Sequence, residues 1–233
     1  MQRLILDRLL AAQAAKQPAA LLRWLDTGRE ALVVAGEVEI GEPLAPELAE
    51  AVRTALRRDR GLTLETGDGR VFIQVFNPPL RLIVVGAVHI AQALVPMASL
   101  TGYDVTVVDP RRSFASDARF PGVTISREWP DDALEELRPD ARTAVITLTH
   151  DPKLDDPALD RALRSDAFYI AALGSRRTHA ARLERLRELG HDAVALGRIH
   201  GPAGLDIGAV SPAEIAISIM AEMTRVLHQE PAA

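Results

Sequence analysis

The stretch from Leu82 to Asp109, LIVVGAVHIAQALVPMASLTGYDVTVVD, leaves few folds open to this chain. It reads as a strand of β-branched residues (Ile83, Val84, Val85), a tight turn at Gly86, an apolar helix and a second strand ending on an acid, Asp109. Short apolar runs on either side of a helix are the signature of a buried parallel βαβ unit. Gly86 and Asp109 lie 23 positions apart, close to the ~20 residues between the first glycine and the ribose-binding acid of dinucleotide-binding folds. A ligand at the carboxyl edge of a parallel sheet is the first expectation.

The pattern continues on both sides. After Pro79 strands and helices alternate, as in an α/β sheet. Strands are expected over 81–85, 104–108, 123–126, 143–148 and 168–173, with helices starting near Val88, over 157–165 and over 178–189. Pro96 should kink or divide the first of these helices, because it removes an amide donor. Ser211-Pro212-Ala213-Glu214 is a strong helix start, with a hydroxyl cap, a proline in the first turn and a glutamate three residues on. Ile215, Ile219, Met223 and Val226 follow as its packing stripe.

Before Asn77-Pro78-Pro79 the period differs, and consecutive prolines cannot continue a ladder. Residues 1–79 therefore form a small α+β domain, and 80–233 a Rossmann-like domain with helices on both faces of its sheet. The first is expected to hold a helix over 2–16 with Leu6, Leu9 and Leu10 on one side. A hairpin across Thr27-Gly28, a helix over 46–59 and a second hairpin through Gly67-Asp68-Gly69 complete it.

Composition removes several functions. Twenty-seven basic residues against 32 acidic ones leave a net charge of −5, which disfavours a nucleic-acid backbone as partner. No apolar run reaches the ~18 residues of a membrane span, and Asp7 stands too early for a signal sequence. A cytoplasmic protein is expected. The chain has no cysteine, so it forms no disulfide, thiolate metal site or thiol nucleophile of its own.

The unusual polar residues fall just after strands, where an open parallel sheet binds its ligands. Gly86-Ala87-Val88-His89-Ile90-Ala91 resembles the dinucleotide fingerprint, but Val88 stands at the second glycine, where a β-branched side chain obstructs a pyrophosphate. His89 either contacts a ligand or caps backbone groups. Asp109 either accepts from a ribose or pterin donor or satisfies loop amides. Arg111 either faces an anion or forms a solvated ion pair. Thr149-His150-Asp151 is a functional loop or an ordinary switch-point turn, with two metal-capable side chains too few for a metal site. Gly174-Ser175-Arg176-Arg177 is the better anion site, combining a turn glycine, helix-start amides and two guanidinium groups. Asp206, between Gly204 and Gly208, sits in a loop that either closes over the crevice or is an ordinary loop with positive-φ glycines.

Taken together, GAVHIAQAL, VTVVDPR, TLTHDPKLDD, YIAALGSRRT and GLDIGAVSPAEIAISIMAE resemble the XdhC/CoxI family, accessory factors for xanthine dehydrogenase and related molybdenum hydroxylases. The resemblance covers about residues 81–227. It implies a chaperone that binds the molybdenum cofactor (molybdopterin, in mono- or dinucleotide form), protects it during sulfuration and hands it to a molybdenum hydroxylase apo-enzyme. It also implies self-association into a homo-oligomer. On this reading arginines and helix amides hold the phosphate, and Asp109 or Asp206 meets the pterin amino groups. Longer relatives carry a glycine-rich segment with a cysteine in the amino-terminal domain, and this chain has neither. Sulfur must then come from a separate cysteine desulfurase. Ala171 also replaces a glycine usual in the family. The competing expectation is an NAD(P)-dependent oxidoreductase using the same crevice; a third is a scaffold that binds only protein.

Overall fold

The structure is a computed structural model, describing residues 3–229. The chain divides between Pro78 and Pro79 into two compact units.

The amino-terminal unit runs α1 (Arg3–Ala14), β1 (Ala19–Trp24), β2 (Glu30–Val34), β3 (Glu37–Ile40), α2 (Pro46–Arg58), β4 (Leu62–Thr66) and β5 (Gly69–Phe76). Its strands form one antiparallel sheet in the order β3-β2-β1-β5-β4. Residue alternation sends Ala20, Leu22, Val71 and Ile73 against α2, and Ala19, Leu32 and Val34 against α1. Both hairpins follow the expected pairing. The α1 face does not: Ile5, Leu9 and Ala12 are buried while Leu6 and Leu10 are exposed. Gln2, the expected start of that helix, lies outside the described residues. Strand β3 is an addition to the expected pattern. It is joined to β2 by Ala35-Gly36, both with positive φ, the geometry of a two-residue hairpin turn in which alanine is an unusual choice.

The second unit runs β6 (Leu80–Val85), α3 (His89–Leu100), β7 (Tyr103–Val108), β8 (Thr124–Ser126), α4 (Pro130–Leu137), β9 (Thr143–Thr147), α5 (Pro152–Leu163), β10 (Tyr169–Ala172), α6 (Arg176–Glu188), α7 (Ala193–Leu196), β11 (Ile199–His200) and α8 (Pro212–His228). All its strands are parallel, in the order β11-β10-β9-β6-β7-β8. The unit starts mid-sheet at β6, builds outward through β7 and β8, then returns to β9 on the other side of β6. This is the doubly wound Rossmann order, with its topological switch point between β6 and β9.

Period-2 alternation builds two cores. Leu82, Val84, Ile146 and Tyr169 face α3 and α8, whereas Ile83, Val85, Val145 and Ile170 face α4, α5 and α6. Helix α3 runs unbroken through Pro96, so the proline does not divide it. The loss is limited to one backbone hydrogen bond on an exposed face, offset by buried Ala91, Leu94, Val95 and Ala98. Helix α5 begins five residues before its expected start at Pro157, because Asp151 caps it and Pro152 fits its first turn. No helix among the described residues is long and apolar enough to cross a membrane.

Candidate functional site

The loops following β6, β9 and β10 meet at the switch point. At Gly86, φ is +109°, and an added Cβ would stand 2.6 Å from Thr149 Cγ2. Only glycine permits both the turn and this approach. A Cβ on Gly174 would stand 3.8 Å from His150 Nδ1, so the next two loops also adjoin. His150 itself is exposed, with φ +62°, a left-handed conformation that costs a non-glycine residue free energy.

Several expected ligand contacts prove to be structural. Asp109 is fully buried. One carboxylate oxygen accepts from Ala87 N at 2.8 Å and Arg111 Nη2 at 2.7 Å; the other accepts from Arg111 N at 3.0 Å and Nε at 2.9 Å. Burial pushes its pKa up, but these donors overcome that and hold it below the ordinary carboxylate value. Asp109 is thereby taken up by the β6–α3 turn and by Arg111, which matches the second of its two expected roles, satisfying loop amides, rather than contact with a ribose or pterin. Arg111, for which an anion contact and an ion pair were the two expectations, forms the ion pair, with Asp109 at 2.7 Å, and stacks on Phe114 at 4.4 Å. Asp151 caps α5 by accepting from Lys153 N at 3.0 Å. The Thr149 hydroxyl donates to Asp155 Oδ1 at 2.6 Å. Ser175 caps α6, accepting from Thr178 N at 3.1 Å.

Beneath these loops lies a polar layer that sequence reasoning missed. Asp155 and Arg182 are both 1% exposed, and Arg182 Nη2 donates to Asp155 Oδ2 at 3.3 Å and Leu173 O at 3.0 Å. Asp155 therefore links the β9 loop, through Thr149, to the β10 loop, through Arg182. Burial raises the Asp155 pKa, against the pull of Thr149 and Arg182. Arg182 Nε and Nη1 and His179 Nδ1 are buried without a hydrogen-bond partner among the described residues. Burial, and then the Arg182 charge, holds the His179 pKa below its ordinary 6.5. Gly201 lies so close that a Cβ there would fall 2.1 Å from His179 Nδ1. Nothing in the spacing of these residues marks them out; only their burial does.

Exposed His89 aside, three expected residues keep free charged groups. Among the described residues, nothing pairs with Arg176, Arg177 or Asp206, and all three are exposed. Arg176 and Asp206 share a cleft of about 380 Å³ with Gly174, Leu205, Ile215 and Ser218. Glu222 of α8 secures the loop that walls this cleft. It accepts from Tyr169 OH at 2.8 Å and Gly204 N at 2.9 Å, and its second oxygen lies 3.3 Å from His200 Nδ1. Val88 stands extended before α3 and supplies no side-chain cap, with Ala87 buried behind it and His89 exposed at the first helical position. A larger hollow of about 580 Å³, in the amino-terminal unit, is lined by Trp24, Arg29, Glu42 and Asp68 among others. None of the strand-end loops contributes to it, so its size does not make it the crevice.

A doubly wound parallel sheet whose loops gather at its strand ends defines a Rossmann-type protein, here with unpaired arginines and a carboxylate beside those ends. A model of the XdhC Rossmann domain matches residues 82–223, and the chain belongs to that family. It is 36% identical over 156 residues to the molybdenum cofactor insertion chaperone PaoD of Escherichia coli, covering 66% of this chain and 43% of that one. It is 34% identical over 169 residues to the uncharacterized protein YqeB of Escherichia coli, covering 71% of this chain and 30% of that one. To a probable xanthine dehydrogenase subunit from Bacillus subtilis it is 32% identical over 154 residues, covering 66% and 44%. The chain thus spans less than half the length of each of these curated relatives. A crystal structure described as a xanthine dehydrogenase from Bacillus halodurans superposes with a TM-score of 0.72 at 26% identity, covering 97% of this chain and 64% of that one.

Proposed function

We propose that this protein is a maturation factor that binds the molybdenum cofactor and delivers it to a xanthine dehydrogenase-type molybdenum hydroxylase. The observation that carries the reading is the unpaired Arg176 beside the unpaired Asp206 in one cleft at the strand ends. A guanidinium group suits the cofactor's phosphate, helped by the first amides of α6, which no intrahelical acceptor reaches. A carboxylate suits the paired N–H donors of a pterin edge. Among the described residues no three His, Asp or Glu side chains cluster as metal ligands, so the proposed grip is on phosphate and heterocycle. The relatives named for cofactor insertion and for xanthine dehydrogenase support the same role.

With no cysteine in the chain, the cofactor's terminal sulfur would be supplied by a separate cysteine desulfurase while this protein shelters the pterin. A cytoplasmic location and self-association belong to the same proposal. Co-production with a functional cofactor pathway, gentle purification and mass spectrometry of the bound small molecule test it. A molybdopterin species is expected. A preparation that activates no apo-hydroxylase and carries no pterin would refute the assignment.

A further inference from the structure

The βαβ unit at Gly86–Asp109 carries the acid of a dinucleotide site, yet that acid is already occupied. A ribose diol binds such a carboxylate by donating two parallel hydrogen bonds. Here the Arg111 fork does so, with Nε at 2.9 Å from one oxygen and Nη2 at 2.7 Å from the other. Two backbone amides, Ala87 N and Arg111 N, take a second site on each oxygen, and no part of Asp109 is exposed.

The segment that brings Arg111 there is itself fastened down. Phe114 lies 4.4 Å from the Arg111 guanidinium and 5.9 Å from that of Arg119. Arg119 Nη1 donates to Ala87 O at 2.7 Å and Phe114 O at 2.8 Å, and its Nη2 donates to Gln92 Oε1 at 3.0 Å. The chain after β7 thus crosses back to the first turn of α3, where a pyrophosphate would approach, and Val88 obstructs the same approach. We propose that Arg111 is a specificity-determining residue: it occupies the ribose position on Asp109 and closes the β6–β7 half of the crevice to adenine dinucleotides. A ligand is then confined to the half walled by the loops after β9, β10 and β11. This inference does not depend on what that ligand is.

The test is binding of NADH, followed by nicotinamide fluorescence, and of ADP-ribose, followed by calorimetry, to the full chain. Four proteins are compared: wild type, Val88→Gly, Val88→Gly/Arg111→Ala, and the latter with Asp109→Asn. Wild type and Val88→Gly are expected to show no saturation. Val88→Gly/Arg111→Ala should gain affinity by about tenfold or more, the worth of a hydrogen bond to a charged acceptor, and Asp109→Asn should abolish the gain. Arg111→Lys, which keeps the cation but loses the fork, replaces Arg111→Ala if the latter does not fold. Micromolar saturation of wild type, or equal binding with and without the Arg111 substitution, would overturn the proposal. Because no pterin enters the experiment, neither result bears on the cofactor assignment.

Discussion

Asp155 and Arg182 show what a buried ion pair does beneath a binding loop. Taking two charges out of water is costly, and Thr149 and the Leu173 carbonyl offset part of that cost by bonding to the pair, while Arg182 Nε and Nη1 find no partner among the described residues. Removing one partner leaves the other charged and unpaired, so Arg182→Ala should destabilise the second unit by about 3–5 kcal/mol in urea denaturation. A loss below about 1 kcal/mol would mean that the pair is solvated in solution. His179 adds a pH dependence. Its folded pKa is held below 6.5, so on acidification the unfolded chain binds a proton that the folded chain refuses. Stability should therefore be unaffected by this group above 6.5 and should fall as pH drops below it, by at most about 1.4 kcal/mol per pH unit. His179→Gln should remove that part of the slope, read from denaturation midpoints between about pH 5 and 8. These residues were illegible in the sequence for a physical reason. An arginine on a helix whose face is mostly polar looks solvated until the fold buries it.

Among the elements, α8 was the most legible. Ser211 accepts from Glu214 N, and Glu214 accepts in return from Ser211 N at 2.8 Å, the capping box expected from the four-residue pattern. Ser211→Ala should cost about 1 kcal/mol, measured as a lowered denaturation midpoint, with no change expected for the neighbouring exposed Ala213→Ser. The central strands were equally plain, because a strand buried on both faces is continuously apolar. Elements anchored by few apolar residues escaped: β3, with alternating exposed glutamates, and β11, only two residues long. Helix α4 went unread as well, although Ala133 and Leu134 bury against α5 and the sheet. Helix α8 also controls the cleft, since Glu222 holds Gly204 while a Cβ on Gly204 would stand 2.3 Å from Ser218 Oγ. Glu222→Ala strands the Tyr169 hydroxyl and the Gly204 amide, and should cost about 2–4 kcal/mol, with loss of hydrogen-exchange protection at residues 203–205.

For the Rossmann unit as a whole, the strand-end rule was enough to locate the crevice from sequence. Parallel strands must present their carboxyl-end loops together, and the gathering of Gly86, Thr149, His150 and Gly174 follows from that. The rule could not say which polar residues the fold would use for itself. Asp109, Asp151, Thr149 and Ser175 all cap or brace turns, because buried loop backbone must find partners; among the described residues His89, Arg176, Arg177 and Asp206 have no such task. The proposed cofactor binding rests on Arg176, Arg177 and Asp206, and the direct measurement is pterin retained by the full chain after co-production with the cofactor pathway, quantified by fluorescence after oxidation. Wild type and the surface variant Arg57→Ala of the amino-terminal unit should retain it, and Arg176→Ala/Arg177→Ala and Asp206→Asn should each lose most of it while remaining folded. Retention at wild-type levels by both site variants would contradict cofactor binding in this cleft.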